Sequence, residues 1–544
     1  MMSRRIQIYD TTLRDGSQAE EINFTSDDKI LVARQLDQLG VTYAEGGFPG
    51  SNPTDRAFFR EVGKERFTNL TITAFGATHS SKTTAENDTG LKALVESRAP
   101  VATIFGKCWD LHVRDALRID KERNLGIIRN TVSFLKNHFR EVFFDAEHFF
   151  DGFMHPLAEE GGEPYAISCL RAAFDAGADV LVLCDTNGGS MPHQIVEAMG
   201  TVQRALPEAR LGIHTHNDGD LAVANSLEAV RAGACQVQGT INGYGERCGN
   251  ANLCSIIPAL QTKMGLECLP EGCQENLTRI SHYVAETANL RPFLRQPYVG
   301  RSAFAHKGGV HVSAVMRNPA TYEHIDPAVV GNVQRVLLSE LAGRSNVLAM
   351  ASRYYEDLDK NDPHVESLLA EIKEREKMGY EYSAAEASFM LLFFRTMGWS
   401  RRYFEHINFR VLDAKRGGED PISEATVILK VRGQHIHTAA DGQGPVNALD
   451  NALRKALLDS YPGLAEMRLV DFKVRVLSGY QRDTGGTASY VRVLIESGDK
   501  QEKWTTVGLS HNIIDASWEA LVDAITYKLF KDDPQKWPVK KKDL

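Results

Sequence analysis

Residues 6–18, from Ile6 to Gln18, read IQIYDTTLRDGSQ. The stretch begins as a short apolar strand, Ile6–Tyr9. It then meets Asp10, Arg14 and Asp15 and is closed by Gly16. A strand that delivers a carboxylate and a guanidinium to its carboxyl end can hold a metal ion beside a fixed cation, a pairing suited to polarising an oxyanion. Taken alone, LRDG reads as an ordinary Arg–Asp turn, so the remaining chain has to supply the missing ligands.

Outward from this strand, short apolar runs alternate with helical patterns. The runs are Ile6–Tyr9, Tyr43–Gly46, Leu70–Phe75, Val101–Phe105, Glu141–Phe144, Val180–Cys184, Leu211–His214 and Gln236–Ile241. Between them, stretches such as Asp27–Leu39, Glu163–Ala176, His193–Ala205 and Leu221–Ala232 repeat their apolar positions near i, i+3, i+4, i+7. Repeated strand–helix units imply parallel strands, and eight of them in about 260 residues fit a TIM (β/α)8 barrel better than an open doubly wound sheet. No GxGxxG turn follows the first strand, which removes the dinucleotide-binding alternative. The barrel is assigned to residues 1–268.

In such a barrel chemistry sits at the carboxyl ends of the strands. The polar residues there are Arg14 and Asp15, then Glu45, Pro49 and Asn52, then Asp145 and Glu147, then Asp185, Thr186 and Asn187. His214, His216, Asn217 and Asp218 follow the seventh run, and Glu246 and Asn250 follow the eighth. His214 and His216 are two apart on a strand, so both imidazoles point to one face. With Asp15 from the neighbouring first strand they make two nitrogens and one carboxylate, which suits a divalent ion such as Mg, Mn or Zn with open positions. Asn250 could add a carbonyl oxygen.

The chain has 544 residues, which predicts two or three domains, and an average globular composition with 43% hydrophobic and 24% charged residues. A net charge of −9 argues against nucleic acid or an anionic membrane as partner. The eight cysteines form no CxxC pair and read as reduced thiols. No apolar run approaches the ~20 residues that span a bilayer, and the amino terminus lacks a signal-peptide core. A cytoplasmic protein is expected.

After Gly265 the alternation stops. Residues 269–403 are expected to form helical linker and lid subdomains, with helices over Gln274–Ala288 and Asp326–Leu338 and a solvated helical connector over Asn361–Glu376. Residues 404–531 read as an α+β domain with strands at Ala425–Val431, Phe472–Leu477, Tyr490–Glu496 and Trp504–Val507, followed by a tail, 532–544. That domain repeats itself: Thr438–Leu453 aligns with Thr506–Leu521, so that Asn447/Asp515, Ala448/Ala516, Ala452/Ala520 and Leu453/Leu521 coincide. Two β-β-α units with no acid–base cluster read as a binding module.

LRDGSQ, HTHND and GYGERCGNANL together resemble the DRE-TIM metallolyase superfamily, and within it the Claisen-condensing synthases that form isopropylmalate, homocitrate or citramalate. The segment EGGFPGSNPTD (Glu45–Asp55) and the carboxyl-terminal layout are most similar to the long bacterial citramalate type. Ser17 departs from the pattern, where many relatives carry glutamate. The resemblance implies condensation of acetyl-CoA with a 2-oxo acid, pyruvate in the leading case, as the first step of a threonine-independent isoleucine route. A longer oxo acid or a metal-dependent lyase or aldolase reaction are the alternatives, with a non-enzymatic amino-acid sensor on a dead barrel further behind. It assigns Asp15, His214, His216 and Asn250 to the metal, Arg14 to the developing alkoxide, Thr186 to the oxo-acid carboxylate and Glu147 to acid–base work. It also assigns proton handling at acetyl-CoA to His311 and Tyr322, reaching the barrel of a partner subunit in a homodimer with shared active sites. For the repeat domain it implies isoleucine as effector, with Gly442, Gly444, Gly485 and Gly486 offering backbone N–H groups to its carboxylate.

Overall fold

The computed structural model describes residues 5–157, 163–336, 362–398, 401–415, 417–418, 420–477 and 489–533. It divides into two compact units. The first comprises the described residues of Met1–Phe304 and Ile325–Gln334, the second those of Ala305–His324 and Arg335–Leu544.

In the first unit eight parallel strands close into a barrel: β1 (Gln7–Asp10), β2 (Tyr43–Gly47), β3 (Thr71–Ala77), β4 (Val101–Lys107), β5 (Glu141–Glu147), β6 (Val180–Asp185), β7 (Leu211–Thr215) and β8 (Gln236–Gly239). All eight predicted runs are strands. Closure is made by β1, which pairs with β2 at Tyr9↔Tyr43 and with β8 from Gln7↔Gln236 to Asp10↔Gly239. The interior is filled by side chains, among them Tyr9, Tyr43, Phe143 and Val182. The Tyr9 hydroxyl hydrogen-bonds Thr73 and Thr103, each at 2.7 Å, so a polar group at the barrel axis is satisfied within it.

Helices form where the pattern places them. Ser26–Leu39 starts at a Thr25/Asp28 capping box and stops at Gly40, whose φ is +84°. Lys29, Val32, Ala33, Leu36 and Leu39 are its buried face. The helix Leu277–Thr287 lies within the predicted Gln274–Ala288. The predicted helix Asp326–Leu338 does not form: Pro327–Val330 makes one 3-10 turn, and Gly331 at φ +68° ends it. A side chain at Gly331 would meet the Glu275 carbonyl oxygen, so chain crossing rather than helix propensity decides this segment. Leu337 and Leu338 lie outside the described residues.

The second unit contains a short parallel pair, β9 (Ala305–His306) with β10 (Arg335–Val336), and two antiparallel sheets. These are β11 (Phe404–Ala414), β12 (Ile422–Val431) and β13 (Gln434–Gly442), then β14 (Arg468–Leu477), β15 (Tyr490–Gly498) and β16 (Lys503–Ser510). The helices Pro445–Leu457 and Ile513–Asp532 follow the two sheets. Each repeat is therefore β-β-β-α where β-β-α was expected, and the two strands not anticipated, β11 and β13, both lie in the first. The symmetry extends to detail: the first strand of each sheet has a register shift, at His406/Asn408 and at Leu469/Asp471. Thr438 Oγ1 donates to the Ala452 carbonyl at 3.0 Å as Thr506 Oγ1 does to that of Ala520 at 2.8 Å.

The expected connector is helical over Pro363–Met378, but it is not solvated on every side. Val365, Leu368 and Ile372 are buried in the core of this unit, together with Phe389 and Phe393 of the helix Glu386–Thr396. Gly485 and Gly486 fall outside the described residues. Among the described residues no helix is long and apolar enough to cross a membrane.

Candidate active site

The carboxyl ends of the barrel strands enclose a cavity of about 380 Å³ lined by Arg14, Asp15, Glu147, Thr186, His214 and His216. Asp15 Oδ2 lies 3.4 Å from His214 Nε2 and 4.0 Å from His216 Nε2, and the two Nε2 atoms are 3.1 Å apart. These separations suit one divalent ion, because ligand bonds of ~2.1 Å at right angles place neighbouring donors ~3 Å apart. The three are buried and form a compact donor group.

Electrostatics prepares the same group. Burial raises the Asp15 carboxyl, but neighbouring Arg14, His214 and His216 outweigh it and hold it at about 2. Burial, then the His214 charge, pushes His216 down to about 3, and burial lowers His214 as well. A carboxylate and two neutral imidazoles result, which are the protonation states a metal requires. Asn250 Nδ2 donates to Asp15 Oδ2 at 2.7 Å. Its buried Oδ1 has no hydrogen-bond partner among the described residues, and a half-turn of the amide would exchange the two atoms.

The register of the barrel fixes the supporting side chains. On β7 and β8, His214 stands opposite Gln238, and His214 Nδ1 lies 2.9 Å from Gln238 Oε1. Gln238 Nε2 donates to Asp145 Oδ1 at 3.0 Å, so Oε1 is the acceptor and His214 keeps a lone pair on Nε2. On β4 and β5, Lys107 stands opposite Glu147 and pairs with it at 2.6 Å. Arg14 donates from Nε and Nη2 to Glu45 at 3.0 and 3.2 Å, approaches Asp15 through Nη1 at 3.1 Å and lies over the Phe75 ring. Burial pushes the Glu45 carboxyl up to about 7 against the opposing pull of Arg14. Thr186 Oγ1 accepts the His148 N–H at 2.9 Å, which leaves its hydroxyl proton free to donate. Ser17, at the departure from the family pattern, donates to the Arg14 carbonyl at 2.6 Å and closes the turn.

His311 and Tyr322 belong to the second unit, where their rings stack with centroids 4.2 Å apart. Gly442 sits where a β-carbon would meet the Ala448 nitrogen, so close helix–strand approach accounts for this glycine; Gly444 precedes the helix Pro445–Leu457 as its N-cap.

The HMGL-like family model matches residues 5–284, the homocitrate synthase post-HMGL domain-like model 298–379, and the LeuA allosteric (dimerisation) domain model 383–529. An (R)-citramalate synthase of Geobacter sulfurreducens is 55% identical, covering 97% of this chain and 98% of that one. Those of Aquifex aeolicus and Synechocystis sp. are 50% and 47% identical, covering 98% and 96% of this chain and 99% and 96% of theirs. The chain belongs to the (R)-citramalate synthase family. The barrel carries the HMGL-like part, a divalent-metal-dependent family, and Asp15, His214 and His216 form a buried group that could hold an ion. The LeuA match takes in the helix Glu386–Thr396 as well as both sheets.

Sequence reasoning gives roles to six of the cavity's side chains, Arg14, Asp15, Glu147, Thr186, His214 and His216, but none to Glu45, Lys107, Gln238 or Arg247. Arg247 donates to Asp218 and to the Thr186 carbonyl and reaches His216 Nδ1 at 3.2 Å. For Gln238 a signal exists: glutamine at alternate positions inside an apolar strand, CQVQG, has to find a partner in the barrel.

Proposed function

We propose that this protein condenses acetyl-CoA with pyruvate, with uptake of water, to give (R)-citramalate and free CoA. The observation that carries this reading is 43–55% identity, along nearly the whole chain, to five (R)-citramalate synthases. A divalent ion on Asp15, His214 and His216, with Asn250 in reach, would supply polarisation of the keto group; Mg, Mn and Zn are the candidates. Arg14 has N–H groups left after Glu45 and Asp15 are served, and it stabilises the oxygen that becomes the tertiary alkoxide. Thr186 donates its free hydroxyl proton to the substrate carboxylate. Glu147, held by Lys107, takes part in moving the proton lost from the acetyl methyl group, and His311 and Tyr322 from a second copy of the chain share that work. Attack of water on the thioester carbonyl then expels CoA.

Beside Arg14, Phe75 stacks on Phe105 at 5.4 Å and meets Phe48 edge-on at 5.8 Å, an apolar wall against which the methyl group of pyruvate can pack. Acetyl-CoA and pyruvate as substrates support a cytoplasmic location. The match to a dimerisation domain supports a homodimer, as do the exposed apolar residues Ile407 and Leu412 on β11 and Val474 and Val476 on β14. Isoleucine, the end product of the route, is proposed as the inhibitor acting through that domain.

The test is CoA release by purified protein given pyruvate, 2-oxoisovalerate or 2-oxoglutarate, with and without EDTA. Pyruvate-dependent, EDTA-sensitive release is expected. Preference for a longer oxo acid would overturn the substrate assignment, and absence of release would overturn the condensation. A protein truncated before Phe404 that remained active and still responded to isoleucine would overturn the sensor role.

A further inference from the structure

His311 and Tyr322 stack on a short segment of the second unit, and their rings need something to hold them in place. The segment runs from β9 through the helix Gly309–Arg317 to the 3-10 turn Pro319–Thr321. Val312 and Val315 are its buried face, whereas Val310, Met316 and Tyr322 are exposed. Two buried valines seat the helix, but they do not fix a ring that lies beyond the following turn.

His306 and Glu323 close the segment on itself. His306 Nε2 lies 3.0 Å from Glu323 Oε1, a bond that spans 17 residues of chain. The carboxylate accepts, so Nε2 carries the proton. Both side chains are largely buried, with 11% and 3% exposed. One end of this bond is anchored. His306 stands on β9 opposite Val336 of β10, and Arg335, beside it on β10, pairs with Glu386 at the start of the helix Glu386–Thr396. The other end adjoins Tyr322. The Tyr322 and Glu323 N–H groups both donate to the Pro319 carbonyl, at 3.1 and 3.0 Å, so the two residues share one turn. With the Glu323 side chain held inward, the Tyr322 ring faces outward against His311, with centroids 4.2 Å apart and planes 28° apart. A buried carboxylate that loses a hydrogen bond is destabilised and is drawn toward water, and Tyr322 would be displaced with it.

We propose that His306 and Glu323 are positioning residues for proton handling at acetyl-CoA: their hydrogen bond sets the place of the Tyr322 ring and, through the stack, of His311. This assignment rests on the role given above to His311 and Tyr322. Proton transfer depends steeply on separation, and a misplacement of about 1 Å can cost on the order of 100-fold in rate. The pair touches neither the metal group nor the pyruvate site, so its loss falls on the proton-transfer step.

The experiment compares condensation rates of the full-length enzyme with acetyl-CoA and with methyl-deuterated acetyl-CoA. The proteins are wild type, His311→Asn, His306→Leu, His306→Gln, Glu323→Leu and Glu323→Asp. Both leucine variants remove the hydrogen bond. His306→Gln restores an N–H at the reach of Nε2, and Glu323→Asp keeps the charge but draws the acceptor back by one methylene. His306→Leu, Glu323→Leu and Glu323→Asp are expected to lose about tenfold to a hundredfold in kcat, with KM for pyruvate unchanged. Their deuterium effect on kcat should rise, because methyl deprotonation then limits turnover. His306→Gln should recover most of the rate and the wild-type deuterium effect. A misfolded fraction lowers kcat without altering the deuterium effect, so a rate loss of that kind would overturn the positioning role, as would wild-type kcat in the leucine variants. His311→Asn with wild-type kcat would instead overturn the role of His311, and the positioning role with it. Where a leucine variant fails to fold by circular dichroism, Glu323→Asp set against His306→Gln decides the question.

Discussion

Gln238 carries no charge, yet it orients an imidazole of the proposed metal group. Its amide spans His214 and Asp145, which fixes the imidazole tautomer and leaves Nε2 with its lone pair inward. Gln238→Leu keeps much of the shape and removes both bonds. Loss of such an orienting partner costs roughly 10–100-fold in metal affinity, so titration of the metal-free protein with Mn should show a loss in that range while the fold, read by circular dichroism, persists. An unchanged affinity would remove Gln238 from this role. Asp523, on the helix Ile513–Asp532, gives a prediction with a sign. Burial raises its carboxyl to about 6, opposed by the Ser388 hydrogen bond, with Glu519 raising it further and Arg395 and Arg375 lowering it. A folded-state value above that of the unfolded chain means the folded protein binds the proton more tightly, so stability is greatest at low pH and falls as pH rises from about 4 to about 6. The melting temperature should therefore change less over that window in Asp523→Asn than in wild type.

At the scale of elements, the turn after β2 explains why EGGFPGSNPTD has its form. Gly47 has φ +148°, and a β-carbon there would overlap the Asp55 carboxyl. Asp55 accepts the Phe48 N–H at 2.7 Å and pairs with Lys29, while Asn52 caps the helix Pro53–Val62. The register shift between Glu45 and Gly47 aims Glu45 at Arg14. Gly47→Ala should cost about 1–3 kcal/mol, read in denaturant unfolding, and should lower kcat, because the clash lies beside the residue that holds Arg14. An active variant of wild-type stability would show that the turn tolerates the side chain. The strand ends were legible in the sequence, because chemistry-bearing residues follow six of the eight apolar runs; of this turn only Glu45, Pro49 and Asn52 were singled out, and its geometry was not. Nor were Lys107 and Gln238, since their roles come from cross-strand register, which appears only when strands are paired. Strands β11 and β13 escaped for another reason: both are edge strands with most side chains exposed, so no apolar run announces them. The Asp326–Leu338 helix failed because Pro327 and Gly331 bracket a single turn that is fixed by contact with Glu275.

For the whole molecule, the open question is whether one chain suffices for catalysis. Arg14, Asp15, His214 and His216 lie in the first unit and His311 and Tyr322 in the second, and the proposal gives the second pair to the active site of another copy. Shared sites have a consequence that independent sites lack. Arg14→Gln and His311→Asn should each be nearly inactive as purified proteins. Mixed by co-expression, they should recover activity, because a mixed dimer holds one site with both defects and one with neither. If association is random, half the dimers are mixed and roughly a quarter of all sites are intact, so co-expressed protein should reach about a quarter of the wild-type rate with an unaltered KM for pyruvate. Recovery should vanish when Val474→Glu and Val476→Glu are added to both chains, if exposed β14 contributes to the dimer contact, and gel filtration should then report the monomer. Absence of recovery in a mixture proven dimeric would mean that His311 serves its own barrel or none, and the shared site would be abandoned while the metal centre and the condensation stood.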